Sequence, residues 1–371
     1  MKGLLKVADN NPAETLRTVY RRWLADGRLS ALLVPARSRS GVVTLALVAQ
    51  PEALTEAAPL LPCLHVNGAQ VLADVGRDAG PDTAKVGAVL RPCELRAVVE
   101  LAKLQQIALD NLVLIGIDCP GTFKVATYRK LLAQDPDFDN NFARKRDLAN
   151  SELRTACQLC ETPQPLVFDL AIGYIGLDPD RELWLEAATE KGDKLLEDIT
   201  LEPQDEPADR RSALETLITR RREQIAERLT ELDRAVLGPE NLVRFFADCL
   251  NCHNCMKVCP ICYCRECFFD SDVFRKDIAE HVRLTRRKGL RRMPRETLLF
   301  HLTRMNHMMT SCVQCGVCED SCPAGIGLAT LFKKVARNAQ EEFGYLSGRS
   351  LEEPLPLTTF REDEFQRLGE E

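Results

Sequence analysis

Two matching runs of cysteine could do redox chemistry. The first holds Cys249, Cys252, Cys255 and Cys259-Pro260; the second holds Cys312, Cys315, Cys318 and Cys322-Pro323. Both read C-x2-C-x2-C-x3-C-P. A tight loop with this spacing aims three thiolates at three corners of a small cube, and proline ends the turn after the fourth. In two-cluster ferredoxins the fourth cysteine of each run crosses over to the other cluster. One 4Fe–4S cluster is therefore expected on Cys249, Cys252, Cys255 and Cys322, and a second on Cys312, Cys315, Cys318 and Cys259. Structural zinc instead favours paired C-x2-C knuckles and rarely takes four cysteines per run.

A second thiol group lies earlier in the chain. Cys93 follows the apolar stretch Lys85–Leu90, Cys119 follows Leu112–Ile117, and Cys157 and Cys160 form a C-x2-C pair before a further apolar stretch, Leu166–Ile175. Ligands of open α/β sheets bind beyond the carboxyl ends of the strands, so these four thiols can meet at one sheet edge. A third cluster is expected there; the alternative is buried, unliganded cysteine. Cys262, Cys264 and Cys267 stand in a row, and Cys63 is the last of the 16 cysteines. A fourth cluster on this set would use every thiol. The alternatives are that they pack around the ferredoxin, or that a partner subunit supplies the fourth ligand.

The elements that must position these thiols can be read as well. Asn11-Pro-Ala-Glu14 opens a helix, with Asn11 as N-cap and Pro12 at the first helical position, running to about Ala25 before Asp26-Gly27. Ala31–Val34 and Val42–Ala49 read as strands around a turn, Arg37–Gly41, that is either a phosphate cradle or a solvated hairpin. Strand–helix alternation from Lys85 onward predicts a mostly parallel sheet with helices packed on it. Glu202–Asp209 is linker-like, and a charged amphipathic helix follows to about Leu237, packing on one domain, with Arg220–Arg222 on a solvated face. The connection from Cys259 to Cys312 is long and helical in pattern, and His281, His301 and His307 within it read as surface or core residues. The expected architecture is an α/β N-terminal domain (residues 1–200), a helical linker (201–240), an all-α two-cluster ferredoxin domain (241–345) and a C-terminal tail (346–371) whose end, Glu362–Glu371, is acidic and frayed.

Composition limits the function. A net charge of −6, from 49 basic and 55 acidic residues, comes without a basic domain and argues against nucleic acid. Met1–Asp9 has no apolar signal-like core, and no run of about 18 apolar residues could span a bilayer. Reduced, metal-loaded cysteine in the cytoplasm is the expectation.

Several motifs carry a resemblance. Arg91-Pro-Cys-Glu-Leu-Arg96, Gly116-Ile-Asp-Cys-Pro-Gly-Thr-Phe123, Cys157-x2-Cys160-Glu161 and Asp169–Gly176 resemble the beta subunits of deazaflavin-dependent (coenzyme F-420) hydrogenases and formate dehydrogenases. The second half is similar to the helical ferredoxins of heterodisulfide reductases. The resemblance implies FAD on the first domain, a 4Fe–4S cluster beside it, and hydride exchange with a deazaflavin; NAD(P)H is the alternative donor. On the flavin side it points to Ser40, Gly41, Asn67, Arg91, Glu94 and Thr122. It also implies a catalytic dehydrogenase or hydrogenase subunit, or heterodisulfide-reductase-like subunits, as partners. The function expected is that of an electron-transfer subunit of an oxidoreductase. The alternative is an iron–sulfur adaptor with no flavin or substrate site of its own.

Overall fold

The computed structural model describes residues 1–38, 41–76, 84–145, 151–274, 277–290 and 296–359. Eight strands form one sheet: β1 (Lys2–Lys6), β2 (Ala31–Arg37), β3 (Val43–Val48), β4 (Val86–Leu90), β5 (Leu112–Ile117), β6 (Leu170–Gly173), β7 (Glu182–Ala187) and β8 (Glu202–Pro203). Their spatial order is β3-β2-β4-β5-β6-β7-β1-β8. The centre, β2-β4-β5-β6, is parallel. The rims are antiparallel, with β3 returning beside β2 and β7, β1 and β8 closing the other side. The expected parallel sheet is thus the middle of a mixed one. Leu4 and Leu5 give β1 a reason to pair, since both are buried against the sheet.

The helices of the first half are α1 (Pro12–Ala25), α2 (Gly68–Gly76), α3 (Pro92–Lys103), α4 (Val125–Gln134), α5 (Phe138–Arg144), α6 (Thr155–Gln158) and α7 (Glu190–Leu196). Asn11 caps α1 by accepting from the backbone N–H of Glu14 at 3.0 Å. Leu16, Tyr20 and Trp23, fully buried on one helical face, set α1 on the sheet. Glu94 begins α3 by accepting from the N–H of Arg91 at 2.9 Å, and it also holds the N–H of Gly68 at 2.8 Å.

The second half has no strand after β8 among the described residues. Its helices are α8 (Ala208–Val236), α9 (Pro239–Phe245), α10 (Asn254–Lys257), α11 (Ile278–Lys288), α12 (Thr297–Met308), α13 (Val317–Asp320) and α14 (Leu328–Glu342). Helix α8 does not pack on one domain alone. Leu214 and Leu217 enter the core around β5 and β6, while Leu232 enters the core shared by α12 and α14. Its first turn is fixed by Arg210, which forms a buried ion pair with Asp118 at the end of β5. No described helix is long and apolar enough to cross a membrane.

Candidate functional site: three thiol-lined cavities

The two cysteine runs share one backbone pattern. Asn251 and His253 in the first run, and Gln314 and Gly316 in the second, all take φ between 53° and 72°. Left-handed residues at matched positions wind each loop around its own thiols, and the short helices α10 and α13 start immediately after them. Backbone N–H groups then turn toward sulfur. Asn251 donates to Cys249 Sγ at 3.4 Å, and Gln314 and Val317 donate to Cys312 and Cys315.

The runs exchange their fourth cysteines. One cavity is lined by Cys312, Cys315 and Cys318 together with Cys259, and walled by Arg304, Met308 and Phe332. The other is lined by Cys249, Cys252 and Cys255 together with Cys322, beside Phe300 and His301. No carboxylate lines either cavity. His301 stacks on Phe246 with ring centroids 4.0 Å apart, and its Nε2 lies 3.3 Å from Cys249 Sγ. Burial pushes Cys312 up to about 12 and Cys255 up to about 11. Thiols in such places stay protonated unless a metal group claims them. Among the described residues no three cysteine, histidine or acidic side chains come close enough to hold a single metal ion. Four thiols around a cavity wider than an ion fit a 4Fe–4S cube better than zinc.

The third cavity, about 60 Å³, is lined by Cys93, Cys119, Cys157 and Cys160. Cys93 sits in the first turn of α3, Cys119 just past β5, and Cys157 in α6. Arginines surround the four thiols. Arg154 is buried and points four ways: to Thr122 Oγ1 at 3.2 Å, to Cys157 Sγ at 3.8 Å, to the carbonyl of Cys315 at 2.8 Å, and to Asp320 on α13. Arg96 donates to Ser347 and Thr162. Arg221 donates to the carbonyls of Cys160 and Pro120, at 3.1 and 2.6 Å. It is therefore not on a solvated face; only its neighbours Arg220 and Arg222 are exposed. Burial pushes Cys93 well up and Cys119 up to about 12. Burial also acts against the Cys160 thiolate, but Arg221 and Thr162 outweigh it and bring this thiol below its ordinary value.

This cavity abuts the ferredoxin half. Cys315 lines both it and the Cys259 cavity. Gly316 lies against Ala156, so close that a Cβ at Gly316 would come within 3.0 Å of the alanine methyl. With φ of 72° as well, the position requires glycine, whereas its counterpart in the first run is His253.

The remaining site residues are dispersed. Cys63 is buried with Phe123, Tyr128 and Phe142. Cys262 and Cys267 border a different core, near Cys259 and Arg304, and Cys264 is exposed. The structure does not bring Cys63 to those three, because strand pairing to Phe123 fixes it beside the Cys119 loop. On the expected flavin side, Arg91, Glu94 and Thr122 are occupied elsewhere. Arg91 is buried, pairs with Glu94, and donates to the carbonyls of Leu61 and Cys63. Thr122 Oγ1 lies 3.2 Å from Cys157 Sγ. Asn67, fully buried, accepts from the N–H of Ala69 at 3.0 Å, and its Nδ2 has no partner among the described residues. Gly41 lies at the tip of the β2–β3 hairpin with φ of 77°, and Ser40 lies outside the described residues.

Comparison with known proteins adds names to this arrangement. Residues 245–326 match the family described as 4Fe-4S dicluster domain. Residues 83–205 match the C-terminal family of the coenzyme F420 hydrogenase/dehydrogenase beta subunit. The F420-dependent formate dehydrogenase subunit beta of Methanocaldococcus jannaschii is 27% identical, over 93% of this chain and 94% of that protein. The F420-dependent formate dehydrogenase 1 subunit beta of Methanococcus maripaludis is 29% identical, over 74% of this chain and 76% of that protein. A chain of the F420-reducing NiFe hydrogenase complex from Methanosarcina barkeri superposes with a TM-score of 0.45 at 13% identity, over 62% of this chain and 92% of that one, a likeness too loose to carry an argument. The chain therefore joins a segment of the coenzyme F420 hydrogenase/dehydrogenase beta-subunit family, residues 83–205, to a 4Fe-4S dicluster domain, residues 245–326.

Proposed function

We propose that this chain is the electron-transfer beta subunit of an F420-dependent formate dehydrogenase or hydrogenase complex. A catalytic subunit would be its partner, and heterodisulfide-reductase-like subunits would be further candidates. The three thiol sets would each hold a 4Fe–4S cluster, which supplies one-electron transfer when bound. The work of the chain itself is to hold the sets in a row. The observation that carries this reading is the sharing of walls: Cys315 borders both the sheet cavity and the Cys259 cavity. Arg304 in turn borders the Cys259 cavity and donates to the carbonyl of Cys255 in the Cys249 set. The Cys259 set is then the middle station, and the Cys249 set, with Cys252 and Leu250 exposed, is the outer one. Buried arginines offset the negative charge that thiolate-bound clusters bring.

FAD belongs to this proposal through the resemblance alone, with a deazaflavin as its exchange partner. Arg91, Glu94 and Thr122 do not fit it, since each is committed to backbone or thiols; Asn67 keeps its Nδ2 without a partner among the described residues, and no step is drawn through a flavin. That commitment favours a second reading, an iron–sulfur adaptor whose flavin resides in another chain. Iron, sulfide and flavin content of the anaerobically purified chain tests both. About 12 irons per chain supports three clusters, and about 16 would add one on the Cys262 group. Stoichiometric flavin overturns the adaptor; iron replaced by zinc overturns electron transfer altogether.

A further inference from the structure

Arginines approach all three thiol sets, and one of them differs from the rest. Arg91, Arg96 and Arg221 spend their donors on carbonyls, hydroxyls or carboxylates, and Arg154 does the same apart from a long 3.8 Å bond from Nη1 to Cys157 Sγ. Arg304, on α12, is only 3% exposed, and its Nη2 donates to the carbonyl of Cys255 at 3.1 Å. Its Nε and Nη1 have no hydrogen-bond partner among the described residues. The guanidinium lies over Phe332 at 4.8 Å and near Phe300 at 5.7 Å, so aromatic rings leave its edge as the one direction for donation. The cysteines that act most strongly on its charge are Cys255, then Cys259, Cys318 and Cys262. A buried cation with two unmet donors and no carboxylate is costly. Here it forms the wall of the cavity that Cys259, Cys312, Cys315 and Cys318 surround.

We infer that Arg304 is a positioning residue for the Cys259–Cys312–Cys315–Cys318 set, its free Nε–H and Nη1–H reserved for the sulfur of the group held there, so that this middle station is easier to reduce than its neighbours. The inference rests on the proposal that this set holds a 4Fe–4S cluster. Its physical basis is that net charge and hydrogen bonds to sulfur set the potential of such clusters. Adding one electron makes the cluster more negative, and a fixed cation with aimed donors favours that state. At the outer set sulfur meets the neutral ring of His301 and the N–H of Asn251, both at Cys249, while Arg304 turns only its Nη2 to the carbonyl of Cys255; at the sheet set Arg154 reaches Cys157 Sγ only at 3.8 Å, its other donors going to Thr122, Cys315 and Asp320. The middle station would thus hold the electron between an inlet and an outlet of lower potential.

The test is a redox titration of the full chain with dithionite, followed by electron paramagnetic resonance, with Arg304→Met and Arg304→Lys beside the parent. A Cys259→Ala protein identifies which signal belongs to the middle set. Arg304→Met should shift the reduction equilibrium of that signal at least tenfold toward the oxidised form, about 60 mV, while the sheet-set signal stays in place. Arg304→Lys keeps the charge without the fork and should recover part of the shift. If Arg304→Met loses iron, Arg304→Gln replaces it, and selective loss of the middle signal in both neutral variants, retained in Arg304→Lys, also supports the inference. An unchanged potential overturns it, as does an equal shift of all signals, or loss of all iron from Arg304→Lys as well. Absence of the middle signal from the parent itself would instead overturn the cluster proposal.

Discussion

Gly316→Ala adds a single methyl group where the sheet half meets the ferredoxin half. At φ of 72° the left-handed backbone costs an L-residue about 1–2 kcal/mol. The new Cβ would lie well within 3.0 Å of Ala156 Cβ, so the loops would have to part by roughly one ångström or more to regain ordinary carbon–carbon contact. Overpacking of this kind adds about 1–3 kcal/mol, for a total of about 2–5 kcal/mol. Ala156→Gly in the same chain removes the overlap but leaves the backbone cost, and itself weakens α6 by about 1 kcal/mol. The double variant should therefore be no less stable than Gly316→Ala alone, with a coupling of about 1–3 kcal/mol between the two positions. Urea midpoints of the four anaerobic proteins measure this, with iron content checked in each. Effects of the two substitutions that simply add would refute the close approach of the thiol loops, and with it the shared wall at Cys315.

Cys259→Ala should abolish the resonance signal of the set containing Cys312, Cys315 and Cys318 and leave that of its own run; the reverse pattern would show that the runs do not cross. Asp118→Ala strands Arg210, which is buried and otherwise paired only with Glu206, and frees the N–H groups of Tyr174 and Ile175. A loss of about 3–5 kcal/mol is expected, read as a lower urea midpoint, and a loss below about 1 kcal/mol would mean that α8 is held by its leucines alone. Arg221→Gln should raise the Cys160 thiol toward the range of its buried neighbours and lower iron retention at the sheet set alone, measured as iron released per chain to a chelator over time.

Much of the scaffold was legible because it is local. Asn11 and Pro12 mark the start of α1, and short apolar runs bounded by turn residues mark β2, β3, β4 and β5 to within a few residues. The antiparallel rim was not legible: β1 is five residues long, and its partner β7 lies nearly the whole sheet domain away in sequence. A triple arginine on a charged helix points to a solvated face, and only the tertiary approach of the Cys119 and Cys160 loops buries Arg221. Arg304 was hidden for the same reason, as one cation among many in a basic stretch. The left-handed pairs Asn251/His253 and Gln314/Gly316 did carry a signal, since aligning the two runs puts small or polar residues at matching positions. For Cys63, sequence could count the spare thiols but could not say which of them meet.

Helix α8 has a consequence of another kind. It is one unbroken element of 29 residues, about 43 Å at 1.5 Å per residue. Its leucines belong to two cores, while Arg221 midway along it grips the carbonyls of Cys160 and Pro120, and Asp233 near its end pairs with Lys334 of α14. A segment built in this way is a splint rather than a hinge. Many redox chains shuttle electrons by swinging a tethered carrier between two docking sites, and that motion needs a pliant neck. Here the neck is braced at both ends and in the middle. The span from the sheet to the exposed rim near Cys252 is therefore a fixed distance, and whatever delivers or collects electrons must come to it.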